Sequence, residues 1–571
     1  MTAAIEIPKS TELSRLDELV GRLRDGAKVW AAMALGERIE IARRMHQGYL
    51  AIAEKSVATS CIAKGIQPGS PQEGEEWLGG PYVTIRILRL TIEALESIRD
   101  TGNTPIGPTH RGIDGKLVVQ NYPMNTLDKI MFGGLIAESV LEAGVDEKQL
   151  EEKRASFYKK PDHQGKVALV LGAGNVNSIP PTDVITKLFN EGKVCILKMN
   201  PVNAYMGPYI AEAFKELIDR GFLAVVYGGG EEGAYLCQHA GIDEVHITGS
   251  DKTHDLIVWG PPGPERAARM ARNQPLLNKE ISSELGNVSP VIVVPGPWDE
   301  KSLAFQADNI AGMTTNNGSF NCNAAKMLVT AKGWSQTGKL QKLILEKAGA
   351  VPARKAWYPG AEQRWKSLTE GRHFETAGAA AAGQLPWTLV TGLDAANSED
   401  RGFNTEPFCS ILSATEVGSP DDPVKFLEEA VNFANDHLWG TLSATIVVHG
   451  DTLKDPKTRD AVEWAIAKLR YGAVGVNLWP AFAFALGATP WGAYPGSTLT
   501  DIKSGRGFVH NTSMLENLEK CVLRYPTTAF PKPPYFSTHK TANVLGRRVT
   551  FFEESPSFLK LPGIIAAALR G

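Results

Sequence analysis

"KVALVLGAGNVNSIPPTDVITKLFNEGKVCILK", residues 166–198, decides the fold. The opening "KVALVLGAG" is a short apolar run ending in glycines, which reads as a buried strand entering a tight turn. "TDVITKLFNEG" reads as a helix with Gly192 near its end, and "KVCILK" as a second buried strand. The same beat continues through "PYIAEAFKELIDRG", "FLAVVYGGG", "EEGAYLCQHAG" and "DEVHITGS" as helix, strand, helix, strand. Strands alternating with short helices imply βα units and a parallel sheet. Ligands of such sheets sit at the carboxyl ends of the strands. The loops "GAGNVNS" (172–178), "VVYGGGEEG" (225–233) and "ITGS" (247–250) are therefore the places to look.

From about residue 290 a second α/β series follows, in "SPVIVV", "KMLVTAKG", "LSATIVVHG" and "AVGVN". Upstream, residues 11–60 are helical by pattern, with Ile39, Ala42, Met45, Tyr49 and Ile52 at three- and four-residue steps. "GIQPGSPQEGEEWLGGP" (65–81) interrupts with Gly and Pro, and a second helical run reaches about Asp100. Residues 101–165 mix short apolar pieces with Gly and Pro, and "VDEKQLEEKR" reads as a solvated helix face. The last fifty residues open with "RYPTTAFPKPPYF" and close with a short apolar helix candidate, "FLKLPGIIAAALRG".

A chain of 571 residues has room for two to four domains. Its 60 basic and 63 acidic residues nearly balance, which argues against a general footprint for nucleic acid or an anionic membrane. Six cysteines, at 61, 195, 237, 322, 409 and 521, form no CxxC pair and no zinc-spaced cluster, so free thiols, a reducing compartment and no metal are expected. The first twenty residues lack a signal-peptide core, and no apolar run approaches the ~18 residues of a membrane span. A soluble, cytoplasmic protein without a transmembrane segment is the expectation.

Three glycine-rich turns in one βα series favour a nucleotide site over three structural turns, because glycine lets backbone approach a phosphate. Cys322, within "NNGSFNCNAAKM" (316–327), is by residue type either a nucleophile or a small core hydrophobe. Its company matters. Glu284 lies 38 residues earlier in a polar turn, and Glu406 follows 84 residues later in "NTEPFCS". Cys, Glu and Asn beside a nucleotide-type fold fit one chemistry: thiolate attack on a carbonyl, hydride loss to a nicotinamide, and carboxylate-assisted hydrolysis.

In this order Asn175, Lys198, "ITGS" ending at Ser250, Glu284-Leu285-Gly286, Cys322 and Glu406-Pro407-Phe408 resemble the aldehyde dehydrogenase superfamily, from "GERIEIARRM" to "PWGAYPG" (490–496). The resemblance implies an α/β fold of three parts. These are a Rossmann-like cofactor domain (1–149 and 165–288), an α/β catalytic domain (289–488) and a bridging, oligomerising element (150–164 and 489–525). Residues 526–571 would be a C-terminal extension. It implies Cys322 as nucleophile, Asn175 with the Cys322 N–H as oxyanion donors, and Glu284 as base. It implies Lys198, Gly229, Gly233, Thr248, Gly249, Ser250, Leu285, Gly286, Glu406 and Phe408 around NAD⁺ or NADP⁺, with Asn477 supporting the site. A small-molecule aldehyde and a homodimer or homotetramer follow from the same resemblance.

The chain also departs from the family. "GSFN" replaces the usual glycine–glutamine before the nucleophile, and Cys409 takes the glycine position after Phe408, as a redox partner or a packed thiol. Pro201 stands where many NAD-preferring members carry a glutamate, which leaves NADP⁺ admissible. Arg266, Arg269 and Arg272, in an insertion between Ser250 and Glu284, either approach cofactor phosphates or coat a surface loop. The extension wraps a neighbouring subunit, caps the substrate tunnel or packs on its own chain. Uncharged "NLWPAFAFALGATPWGAYPG" (477–496) offers Trp479, Phe482, Phe484 and Trp491 either to an apolar substrate, medium- or long-chain or aromatic, or to a domain interface. A coenzyme A-acylating enzyme is the second functional reading and a non-catalytic binding protein the third; the base at Glu284 argues against the former.

Overall fold

A computed structural model describes residues 5–160 and 163–571. Residues 1–4 and 161–162, which fall in the expected cofactor-domain start and bridging element, lie outside the described residues.

The opening stretch folds as its pattern predicts. Val167–Leu171 and Val194–Lys198 are neighbouring parallel strands. Between them the helix begins earlier than expected, at Ile179, because Pro180 and Pro181 suit a first helical turn. It widens into a π-turn at Thr186–Asn190 before Gly192 turns the chain at φ 70°.

The sheet runs in the order Leu223–Val226, Val194–Lys198, Val167–Leu171, Glu244–Gly249, Glu280–Leu285, with Gly505–Arg506 added antiparallel at the edge. The chain leaves Val167–Leu171 toward one edge and later returns to its other side. The carboxyl ends of Val167–Leu171 and Glu244–Gly249 thus flank the point where strand order reverses, which opens a crevice. Val167–Leu171 and Leu223–Val226 are wholly apolar because both faces are covered, whereas Glu244–Gly249 and Glu280–Leu285 also bury polar residues such as His246, Ser283 and Glu284. Helices Leu13–Ala32 and Leu35–Lys64 supply much of that cover.

Among the described residues the second sheet has eleven strands, with His373–Ala377 antiparallel to Trp387–Leu393 at one edge. Its centre, Trp387–Leu393, Ile411–Val417, Met327–Ala331, Pro290–Val293, Ser443–Val447, Ala473–Val476 and Leu518–Arg524, is parallel throughout. Strands Ile136–Leu141, Leu117–Tyr122 and Thr109–Arg111 extend it antiparallel beyond Leu518–Arg524. Residues 109–141, grouped by sequence with the cofactor-binding unit, therefore pair into the large sheet. Only the six-residue helix Thr126–Met131 lies between Leu117–Tyr122 and Ile136–Leu141, too little chain for a parallel crossover, so these strands join as antiparallel neighbours.

Two further differences concern segments read as breaks or tails. Helix Glu73–Trp77 forms inside the Gly/Pro-rich 65–81 stretch and runs through a π-turn at Leu78–Tyr82 into helix Val83–Thr101. The extension packs on its own chain: Leu545, Val549, Phe552, Leu561 and Ile564 enter the core of the first sheet's helices. Glu553 anchors it, buried between Arg86 (2.6 Å) and Arg89 (2.7 Å). No helix among the described residues is long and apolar enough to cross a membrane.

Candidate active site

The loop carrying Cys322 is set by backbone geometry. Helix Glu300–Thr315 ends, and Asn317, Gly318 and Ser319 all take left-handed conformations. Such a run needs outside support. Lys64 provides it, donating to Asn317 Oδ1 (3.0 Å), the Asn175 carbonyl (3.2 Å) and Glu76 Oε1 (2.8 Å). Glu75 accepts the Asn317 N–H (3.1 Å) and pairs with Arg354 (2.8 Å). The helix hidden in the 65–81 segment thus holds the cysteine loop with two adjacent carboxylates.

Cys322 is half-buried and Glu284 is buried, 4% exposed, with its carboxyl facing the thiol. Burial pushes the Glu284 carboxyl up to about 8, and the charges of Asp183 and Glu406 add to it. Burial also drives the Cys322 thiol well above its ordinary value, reinforced by Glu284 and opposed by Lys326. Among the described residues Glu284 Oε1 and the nearby Trp491 Nε1 have no hydrogen-bond partner, two polar atoms that water or a ligand can satisfy. Asn175 donates one amide N–H to the Phe320 carbonyl (2.9 Å), two residues before Cys322, leaving its second for another acceptor.

A cavity of about 690 Å³ opens from Cys322 across the carboxyl edge of the first sheet. Asn175, Lys198, Gly229, Gly233, Thr248, Gly249, Ser250, Glu284, Gly286, Cys322, Glu406 and Phe408 all line it. Leu285 does not: its side chain is fully buried and only its N–H acts, donating to Ser504 O (2.8 Å). Lys198 reaches the Gly228 carbonyl (2.6 Å), and burial lowers its pKa. Gly229 and Gly230 face open space at the N-terminus of helix Gly230–Gln238, a cradle that side chains there would fill. Gly286 is forced by close approach, because a Cβ there would collide with Glu406.

A second, apolar pocket of about 130 Å³ meets the first at Ile179, Glu284 and Cys322. Trp479, Phe482 and Phe484 line it, so these three serve a pocket; Trp491 instead sits fully buried beside Glu284.

Two positions that shape the site, Lys326 and Arg364, had no sequence signal. Lys326, 1% exposed, ion-pairs with Glu406 and donates to the Cys322 carbonyl (2.9 Å) and the Asn287 carbonyl (2.9 Å). It ties nucleophile loop and second glutamate together, and only its place four residues after Cys322 could have hinted at this. Phe408 takes a left-handed φ of 41°, held by Arg364, which grips the Pro407 (2.9 Å) and Phe408 (3.0 Å) carbonyls.

Other expectations resolve to packing. Cys409 is a fully buried thiol pushed up to about 12. Arg266 pairs with Asp255 and Arg269 binds the Trp259 carbonyl (3.2 Å); none of the three insertion arginines lines the cavity. Asn477 clamps the backbone of Val448 through both amide atoms (2.8 and 3.0 Å) and lines neither pocket.

A parallel sheet with a glycine-floored crevice, leading to a cysteine and a buried glutamate, defines a dinucleotide-type fold joined to a thiol site. The aldehyde dehydrogenase family model matches residues 178–352. N-succinylglutamate 5-semialdehyde dehydrogenase of Ectopseudomonas mendocina is 24% identical over 275 residues, 47% of this chain and 45% of that protein. The chain thus spans under half the length of this curated relative. NADP-dependent glyceraldehyde-3-phosphate dehydrogenase from Bacillus halodurans, solved with NADP, superposes at TM-score 0.59 with 18% identity, covering 90% of this chain and 92% of that one. NAD-dependent aldehyde dehydrogenase from Sinorhizobium meliloti does so at 0.59 and 18%, covering 92% and 88%. Family model, curated relatives and fold all show similarity to aldehyde dehydrogenases, the family model over residues 178–352 and the fold over about nine-tenths of the chain.

Proposed function

We propose that the protein oxidises an aldehyde to a carboxylic acid with NAD⁺ or NADP⁺, through a thioester on Cys322. One observation carries the reading: Cys322 and Glu284 stand on the shared wall of a large glycine-floored cavity and a small apolar pocket. A nucleotide and an apolar carbonyl compound can then meet at one sulfur.

The chain's residues fit a nicotinamide dinucleotide. Gly229 and Gly230 leave room for a diphosphate at a helix N-terminus, where the Gly229 N–H itself is taken by Glu232 Oε2 (2.7 Å), Lys198 lies within reach of a ribose, and Glu406, fixed by Lys326 and the Asn287 N–H (3.2 Å), accepts from ribose hydroxyls. Pro201 lines this cavity where a glutamate would repel a 2′-phosphate, so either cofactor is admitted. When bound, the nicotinamide supplies the hydride acceptor.

The protein performs the remaining steps. The Cys322 sulfur bonds to the carbonyl carbon while its proton passes to the ionised form of the facing Glu284, a minority below about pH 8 that grows as pH rises. The free Asn175 N–H and the Cys322 N–H hold the oxygen as it gains negative charge. After oxidation, Glu284, having released its proton, takes one from the water that attacks the thioester.

Assembly as a homodimer or homotetramer and placement in the cytoplasm belong to the same proposal; six free thiols support a reducing compartment. The test is a panel of short, long-chain and aromatic aldehydes with NAD⁺ and NADP⁺, followed at ~340 nm with and without coenzyme A. Reduction without coenzyme A is expected. Reduction strictly dependent on coenzyme A would overturn the hydrolytic reading.

A further inference from the structure

Part of the apolar pocket is built by residues that no catalytic step uses. Pro534 and Tyr535 of the C-terminal extension line it together with Tyr82 and Phe132. Tyr535 is fixed on several sides. Its hydroxyl donates to Asn309 Oδ1 (2.6 Å) and accepts the Trp479 N–H (3.3 Å). Its ring packs on Trp479 and Phe482, with centroids 5.3 and 5.6 Å away. Its carbonyl presses on helix Glu300–Thr315 where Gly312 leaves no room for a Cβ. Asp308 then binds the Ser537 hydroxyl (2.6 Å) and the Thr538 N–H (3.3 Å). Behind this strap, helix Ala542–Phe552 docks on helix Glu73–Trp77, where Gly74 meets Ala542 without space for a side chain. The buried Glu553–Arg86–Arg89 triad pins its far end. A segment held this way is a wall and not a lid.

We propose that Tyr535 is a specificity-determining residue that closes the acyl pocket and confines the substrate to aldehydes whose body is about the size of a benzene ring. The proposal rests on reading Cys322 as the group that receives the aldehyde. Its size limit comes from the pocket's volume of about 130 Å³ beyond Cys322. A dry protein cavity of roughly 150 Å³ holds one benzene, and a linear eight-carbon chain needs more length than such a space provides. The walls add a class to the size, since most of the lining is aromatic or aliphatic.

The experiment compares kcat/KM for benzaldehyde and octanal in wild type, Tyr535→Ala and Tyr535→Phe. Wild type is expected to favour benzaldehyde. Tyr535→Ala should shift the ratio toward octanal by about tenfold or more, the scale on which a hydrophobic pocket reads added methylenes. Tyr535→Phe keeps the ring and should keep the ratio. A purely structural role would lower both aldehydes together, so an unchanged ratio in folded Tyr535→Ala overturns the proposal, as does a wild-type preference for octanal. Should Tyr535→Ala fail to fold, Tyr535→Leu reads the same ratio. Absence of turnover with every aldehyde would refute the catalytic reading alone. The wall would then be read from Cys322 alkylation by N-phenyl- and N-octylmaleimide, quantified by peptide mass spectrometry. The same shift in Tyr535→Ala is expected there, and no shift overturns the proposal.

Discussion

Replacing Glu284 by glutamine tests the centre of the argument twice, once through stability and once through chemistry. The native fold holds the Glu284 proton up to about pH 8, whereas an unfolded carboxyl releases it near 4.5. Between those values the native state binds more protons than the unfolded state, so stability falls as pH rises. The slope is about 1.4 kcal/mol per pH unit, and across the whole interval the loss reaches at most ~5 kcal/mol. The contribution is fully present below pH 4.5 and gone above about 8. Cys322 does not blur the window, because its thiol remains protonated throughout it. Glutamine keeps the shape and never ionises. Melting temperatures of the two proteins, measured from pH 5 to 9, should therefore diverge with rising pH, the variant gaining several degrees by pH 9. In the same preparation, stopped-flow absorbance should show about one equivalent of reduced cofactor per site, then a stall. Loss of a general base typically costs 10²–10⁴ in rate. The burst should itself be slow at pH 7 and recover at alkaline pH, as the thiol loses its proton unaided. A temperature gap independent of pH, or steady turnover at the wild-type rate, would refute the placement of a buried, proton-holding carboxyl against Cys322.

Cys322→Ala should abolish cofactor reduction while leaving cofactor binding measurable by fluorescence titration; retained turnover would remove the nucleophile. Asn175→Ala should lower kcat by roughly 10²–10³, the usual cost of one oxyanion donor, with KM little changed. Glu553→Ala strands Arg86 and Arg89 in the interior and should cost about 3–5 kcal/mol in denaturant unfolding. An unchanged midpoint would mean that the extension is not anchored by this triad.

Much of this was legible in the chain because it depends on local pattern. The alternation from Lys166 to Ser250 demanded a parallel sheet, since apolar runs of strand length separated by helices have no other way to pair. Asn175, Lys198, Glu284, Cys322 and Glu406 stood in an order that proposed the site, and the fold brings all five to one cavity. Residue type left Cys322 ambiguous between core and chemistry. Its half exposure beside a proton-holding glutamate was decided by packing, because burial and neighbouring charge are properties of the assembled chain.

Three features required the tertiary structure. Glu75 and Glu76 lie in a segment whose Gly and Pro read as a break, yet a helix forms there and fastens the cysteine loop to Lys64 and Arg354. Lys326 looked like one more lysine until folding buried it between Glu406 and two carbonyls. Tyr535 lies 213 residues beyond Cys322, and nothing in "RYPTTAFPKPPYF" indicates which surface it covers. Sequence determines which segments become strands, helices and turns, because short-range periodicity and glycine placement carry that information. Which charge is buried, and which residue from a distant tail walls a pocket, depends on contacts between segments hundreds of residues apart. Only the folded chain makes those contacts.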